Sequence, residues 1–181
     1  MKKLIMFAAC AMLAAYTQAA AIGWSMAGAS AFAGDKYMFF VEGQNGVTTV
    51  AALTALLDAG TDVSSYAFGT GNVAANGNAA IVATASGLSL DAGTYTGFFV
   101  LFDSATPTAG SSTYAVVSGA ANLTKTIGAT TAQTVFVAGN QSSYLGNTAN
   151  WAAYGTAVPE PTSGLLMLVG LGALALRRRR A

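Results

Sequence analysis

Residues 95–103 read YTGFFVLFD. Side chains alternate sides along an extended chain, so Tyr95, Phe99 and Leu101 fall on one face and Phe98, Val100 and Phe102 on the other. Both faces are apolar, which predicts a central strand covered on both sides. Working outward, residues 36–42 (KYMFFVE) put Tyr37, Phe39 and Val41 on one face by the same alternation. Residues 63–68, 113–118 (TYAVVS) and 133–138 (QTVFVA) predict further strands, residues 122–127 a weaker one, and residues 150–154 (NWAAY) a last one that packs Trp151. Residues 73–85, interrupted by Asn76-Gly77-Asn78, predict a hairpin, because Asn-Gly favours a tight turn. Residues 47–59 change the rhythm. Val50, Leu53, Leu56 and Leu57 recur at helical spacing, Thr48 or Thr49 can cap the start, and Gly60 can end the helix. The pattern is mainly β: an antiparallel sandwich or jelly-roll-like domain with one covering helix. LDAGT occurs at 57–61 and again at 90–94, but the surroundings differ, which reads as turn chemistry and not as a solenoid repeat.

The 181 residues suffice for one domain. The net charge of +1 hides an uneven distribution. Between residues 22 and 158, Lys36 and Lys125 face Asp35, Glu42, Asp58, Asp62, Asp91 and Asp103, two cations against six carboxylates and a net of −4. Nucleic acid is excluded as a partner, since it requires a basic footprint. There is no histidine, which removes Ser-His-Asp and Cys-His arrangements and the usual zinc sites. No serine sits in G-x-S-x-G. The six carboxylates all lie at predicted element ends, where acids serve as turn formers and caps, so no catalytic pair is expected and the chain does not read as an enzyme. Asp58 and Asp62 share a loop, followed by Asn72, Asn76 and Asn78, but the D-x-D-x-D-G pattern of a calcium loop is missing. No metal and no cofactor is expected. Tyr66, Tyr144, Trp151 and Tyr154 are candidates for stacking on sugars, against the plainer role of aromatic rings as core or cross-strand pairs.

Both ends read as addresses. Lys2 and Lys3 precede an apolar stretch over residues 4–15, and Ala19 and Ala21 fit an A-x-A cleavage site before Ile22. Cleavage one or two residues earlier fits equally well. FAAC at residues 7–10 is a poor lipobox, with Phe at its first position and an apolar stretch that runs on past it. The only cysteine, Cys10, leaves with the leader, so the body has no disulfide. At the other end, Val158, Pro159, Glu160 and Pro161 precede an uncharged run over residues 162–176 and then Arg177, Arg178, Arg179 and Arg180. A residue before proline avoids the helical region, so Glu160 is held extended. The uncharged run would span about 22 Å as a helix, short of a bilayer core of about 30 Å. Its arginines resist translocation and would remain cytoplasmic.

VPEP, a short apolar run and a terminal Arg cluster, in that order, resemble the PEP-CTERM sorting signal. The resemblance implies recognition by an exosortase, a membrane-embedded, cysteine-dependent processing enzyme of Gram-negative bacteria, and a link to extracellular polysaccharide and biofilm. It covers the tail alone. The body is also similar to other PEP-CTERM cargo in its aromatic first strand, its ALLDAG helix, its GFFVLFD strand and its final Trp.

The expected organisation is a signal peptide at 1–21, a β-rich exported domain at 22–154, a linker with the VPEP motif at 155–161, and a hydrophobic helix with its Arg cluster at 162–181. The domain would thus be flanked by an N-terminal signal helix and a C-terminal membrane helix. The expected function is that of an exported envelope or matrix protein. Its partners would be signal peptidase, the secretion machinery, the membrane through its tail, and exosortase. After processing it would stand at the cell surface or outside the cell. The alternatives are a carbohydrate-binding module of the polysaccharide matrix and a simple single-pass anchored surface protein.

Overall fold

A computed structural model describes residues 19–155. The chain begins with β1 (Ala20–Ala27), then β2 (Lys36–Val41), α1 (Val50–Asp58), β3 (Gly69–Asn72) and β4 (Ala79–Ile81). A one-turn helix α2 (Ala83–Ser86) and the short β5 (Ser89–Leu90) lead into the longest strand, β6 (Gly93–Phe102). β7 (Thr113–Val117), β8 (Thr124–Ile127), β9 (Gln133–Asn140), α3 (Ser142–Leu145) and β10 (Trp151–Ala153) complete it. The body is mainly β with largely antiparallel sheets, as the alternation predicts.

The strands form two sheets. In the first, β1 is the hub: β4 and β5 pair with its two halves antiparallel, and β9 pairs with it in parallel. The second has the order β10-β7-β6-β2-β3, with β8 on the early part of β6, and every pair in it is antiparallel. Ile22, Trp24, Met26 and Phe136 from the first sheet share one core with Tyr37, Phe39, Val41, Phe99 and Leu101 from the second. The opposite face of the second sheet, Met38, Phe40, Phe98, Val100 and Phe102, packs on Leu53 and Leu57 of α1. β6 is therefore buried on both sides, and α1 covers one face of the sheet.

Local chemistry explains α1. Thr49 accepts the Ala52 N–H at 3.1 Å, and the Glu42 carboxylate accepts the Val50 N–H at 3.2 Å. The helix ends in a Schellman motif. Gly60 N–H donates to Leu57 O, Thr61 N–H donates to Leu56 O, and Gly60 takes φ +72°.

Three features depart from the expectation. β1 was not predicted as a strand, although it is the hub of a sheet. Residues 63–68 are not a strand but hold a 3-10 turn, Ser64–Tyr66, because the Asp62 carboxylate takes the Ser64 N–H at 2.9 Å and Val63 drops into the core under α1. The Asn76-Gly77 turn forms, yet no hairpin results: β3 belongs to the second sheet and β4 to the first. Val73 and Ala79 both enter the core between the sheets, so the turn crosses its edge instead of folding one sheet on itself. The two copies of LDAGT end α1 and join β5 to β6, which are unrelated settings. The expected signal helix and membrane helix lie outside the described residues; among those described, no helix is long and apolar enough to cross a membrane.

Candidate functional site

Two places on the body bear on function: the point where the chain leaves it, and a cleft at one end of the sheets. The exit is built by β10 and the two residues after it. β10 pairs with β7. Tyr154 then donates its N–H to Ser112 O at 2.9 Å and accepts from Gly110 N–H at 2.7 Å. Its ring is buried edge-on to Phe102, with centroids 5.4 Å apart. Gly155 donates its N–H to Leu57 O at the end of α1, at 2.9 Å. A Cβ on Gly155 would stand 2.7 Å from the Ala109 Cβ and 2.9 Å from the Gly60 Cα, at a φ of +65°. Only glycine fits that slot. Gly155, the first residue of the expected linker, is thus buried and bonded to the helix layer.

The cleft has a volume of about 570 Å³. Phe32 stacks on Trp151 with centroids 4.7 Å apart, and Leu145, the last residue of α3, also lines the cleft. The Trp151 indole N–H is used internally, donating to Leu145 O at 2.8 Å. Asp103 stands on the polar side. Its two oxygens accept the Thr113 N–H and the Thr113 hydroxyl, each at 2.8 Å, so the carboxylate is fixed in orientation. Nearby Asp35 does not line the cleft. Burial, and then the charge of Asp103, raise its carboxyl above the usual range. No lysine or arginine lines the cleft. A ring pair, an oriented acceptor and the hydroxyls of Ser30 and Thr148 suit a neutral molecule with one apolar face and several O–H donors.

Of the four rings singled out from the sequence, Trp151 alone lines this cleft. Tyr154 is buried at the exit, and Tyr66 is packed under α1. Tyr144 is exposed, and its hydroxyl donates to Val116 O at 2.8 Å. Phe32 carried no signal in the sequence, because it sits in an isolated 3-10 turn without periodicity. The oxygen-rich loop residues serve local structure. Asp58 accepts from the Tyr114 hydroxyl at 2.7 Å, and burial, reinforced by this bond, raises that phenol's pKa. Asn72 donates to Gly34 O, and Asn76 closes an Asx turn on the Asn78 N–H. Among the described residues, no three of His, Cys, Asp and Glu converge to hold a metal.

Ala19 precedes β1, while Ala20 is fully buried and Ala21 N–H donates to Ala132 O at 3.0 Å. Val158, Pro159, Glu160, Pro161 and Arg177, Arg178, Arg179 and Arg180 lie outside the described residues.

No curated protein and no solved structure matches the chain. A family model does: that of the PEP-CTERM protein-sorting motif, over residues 157–180. The match begins two residues beyond Gly155 and takes in the whole VPEP stretch and all four arginines. Behind its folded body, the chain carries a PEP-CTERM protein-sorting motif, the C-terminal signal of an exosortase substrate.

Proposed function

We propose that this is an exported, non-enzymatic protein of the cell envelope or extracellular matrix. A cleavable leader directs it across the inner membrane, the tail holds it there, and exosortase removes the tail to release or attach the β-rich body at the cell surface. The observation that carries this reading is the sorting motif at residues 157–180, set immediately behind a body that is already closed at Gly155. Cutting beyond Gly155 leaves every described core residue in the body. At the other end, cleavage after Ala19 leaves β1 whole, whereas cleavage after Ala21 removes the buried Ala20. The test is to replace Glu160 with Ala and, separately, to delete the four arginines, following the mature C-terminus by intact-mass spectrometry. Both changes should leave the tail in place; an unchanged mature C-terminus in both variants would sink the reading.

The cleft favours a second reading, in which the body binds saccharide of the surrounding matrix. Phe32 and Trp151 supply the apolar wall and Asp103 the oriented acceptor. Pull-down of the purified mature protein with host polysaccharide tests it. Binding should be lost in Trp151→Ala and in Asp103→Asn, and equal retention by both variants and the parent would discard it.

A further inference from the structure

We infer that the surface around the chain exit, the end of α1 with residues 58–62 and the loop at 108–111, lies against the membrane-embedded processing enzyme while the tail is engaged. The outer face of the first sheet then points away from the membrane. This rests on the reading of the chain as an exosortase substrate. Three observations carry it.

The first is the tether. Gly155 is bonded to Leu57 and packed between Gly60 and Ala109, so it moves with the body. A fully extended chain gains at most about 3.6 Å per residue, which keeps Glu160 within about 18 Å of Gly155 and Thr162 within about 25 Å. An enzyme gripping VPEP therefore has the body against it.

The second is position in the layers. The exit lies in the α1 layer, on one side of the second sheet, and the first sheet lies on the other side. Ala80 and Val82, beside the outer face of the first sheet, are exposed on the far side of the molecule from α1.

The third is the character of the surface. Thr61, Thr108, Ala109, Gly110 and Ser111 are small and exposed, which lets a second protein approach closely. The charges among residues 58–62 and 108–111 are Asp58 and Asp62, and the Ser64 N–H lowers the Asp62 pKa, keeping that carboxylate ionised. Lys36 lines the same recess as Asp62 and Tyr154, so two carboxylates stand against one lysine at this surface. That balance does not attract anionic lipid headgroups, and the enzyme is the better fit than the bilayer.

The test uses the full chain in cells that contain the processing enzyme. A photo-reactive residue replaces Thr61, Ser111 or, as the far-side control, Ala80. Adducts to the enzyme should form at least about fivefold more from the first two positions than from the third, an enrichment worth about 1 kcal/mol in relative occupancy. Equal yields, or adducts to lipid alone, would overturn the inference. A twelve-residue Gly/Ser insertion after Thr156 should cut the Thr61 and Ser111 adducts to the level of the control while the tail is still removed. Adducts undiminished by the insertion would show that the tether does not set the contact and would also overturn it. A parent chain whose tail is never removed sinks the exosortase reading itself; normal removal without exit-face adducts sinks only this inference.

Discussion

β6 and β1 are the central strands of the two sheets, and they are built from opposite materials. β6 carries Phe98, Phe99, Val100, Leu101 and Phe102 in succession, each fully or almost fully buried, with a sheet on one side and α1 on the other. β1 reads AAIGWSMA, and its alternate residues Ala20, Ile22, Trp24 and Met26 face the core, one of them an alanine. Even their glycines differ in use. A Cβ on Gly97 of β6 would stand 2.7 Å from the Phe39 ring and 2.9 Å from that of Phe136, so the glycine makes room for side chains. A Cβ on Gly23 of β1 would stand 2.4 Å from the Ala83 backbone nitrogen, so that glycine makes room for α2 itself. One sheet is held by the bulk of its side chains, the other by the close approach of its backbone.

Mutations can break or sharpen this contrast. The largest effect is expected from Phe99→Ala, which empties a site between the sheets and should cost about 3–5 kcal/mol in urea unfolding. A cost below about 1 kcal/mol would mean that bulk is not what holds the second sheet. Gly23→Val attacks the first sheet and should cost about 1–3 kcal/mol, because backbone yields less readily than a side chain end. Hydrogen exchange should show the amides of α2 and β4 losing protection while those of β6 keep theirs; uniform loss would erase the distinction between the sheets. Thr49→Ala removes the cap of α1, the layer that the second sheet has and the first lacks, and should cost about 1 kcal/mol.

Asp35→Asn should act in the other direction. The folded-state pKa of Asp35 is raised, so its charged form opposes folding at neutral pH and the opposition fades as acid protonates it. The variant should gain no more than about 1 kcal/mol at pH 7 and lose the advantage near pH 3. A gain that persists at pH 3 would rule out the charge of Asp35 as its cause. The smallest effect belongs to Val82→Ser beside the exposed face of the first sheet, within about 0.5 kcal/mol, since Val82 is 68% exposed.

The same contrast explains what could be read from the residues alone. The second sheet announces itself: KYMFFVE, YTGFFVLFD and TYAVVS alternate large side chains, and β2, β6 and β7 lie where that alternation predicts them. α1 was legible from its leucine spacing, its threonine cap and its terminal glycine. The first sheet was half hidden: β9 lies where QTVFVA predicts a strand, whereas β1 and β5 were not predicted. In β1 the period-two signal of Ile22, Trp24 and Met26 is diluted by alanine and glycine, and its start overlaps small residues that also read as a cleavage site. The Asn76-Gly77 turn was legible as a turn, but its partners were not, because assignment of β3 and β4 to different sheets depends on burying Val73 and Ala79 together. The sorting tail needed no fold to be recognised, since its order of proline motif, apolar run and arginines is local. The cleft was half legible: Trp151 was singled out, while Phe32 reaches it only through tertiary structure.

The parallel pairing of β1 with β9 bears on the order in which the body can assemble. Ala21 lies beside Gln133, so the two ends of that ladder are separated by 112 positions along the chain. β4 and β5, which hold the other edge of β1, also come much later than β1. A chain threaded N-terminus first across a membrane delivers β1 before any of its neighbours, and long-range contacts of this kind slow folding. β4 and β5 can cover one edge of β1 first, but until β9 emerges the other edge stands unpaired, open to pairing with other chains. The passage of residues 133–140 therefore sets the earliest moment at which the first sheet can close, and a chaperone that shields newly exported strands would have its use in that interval.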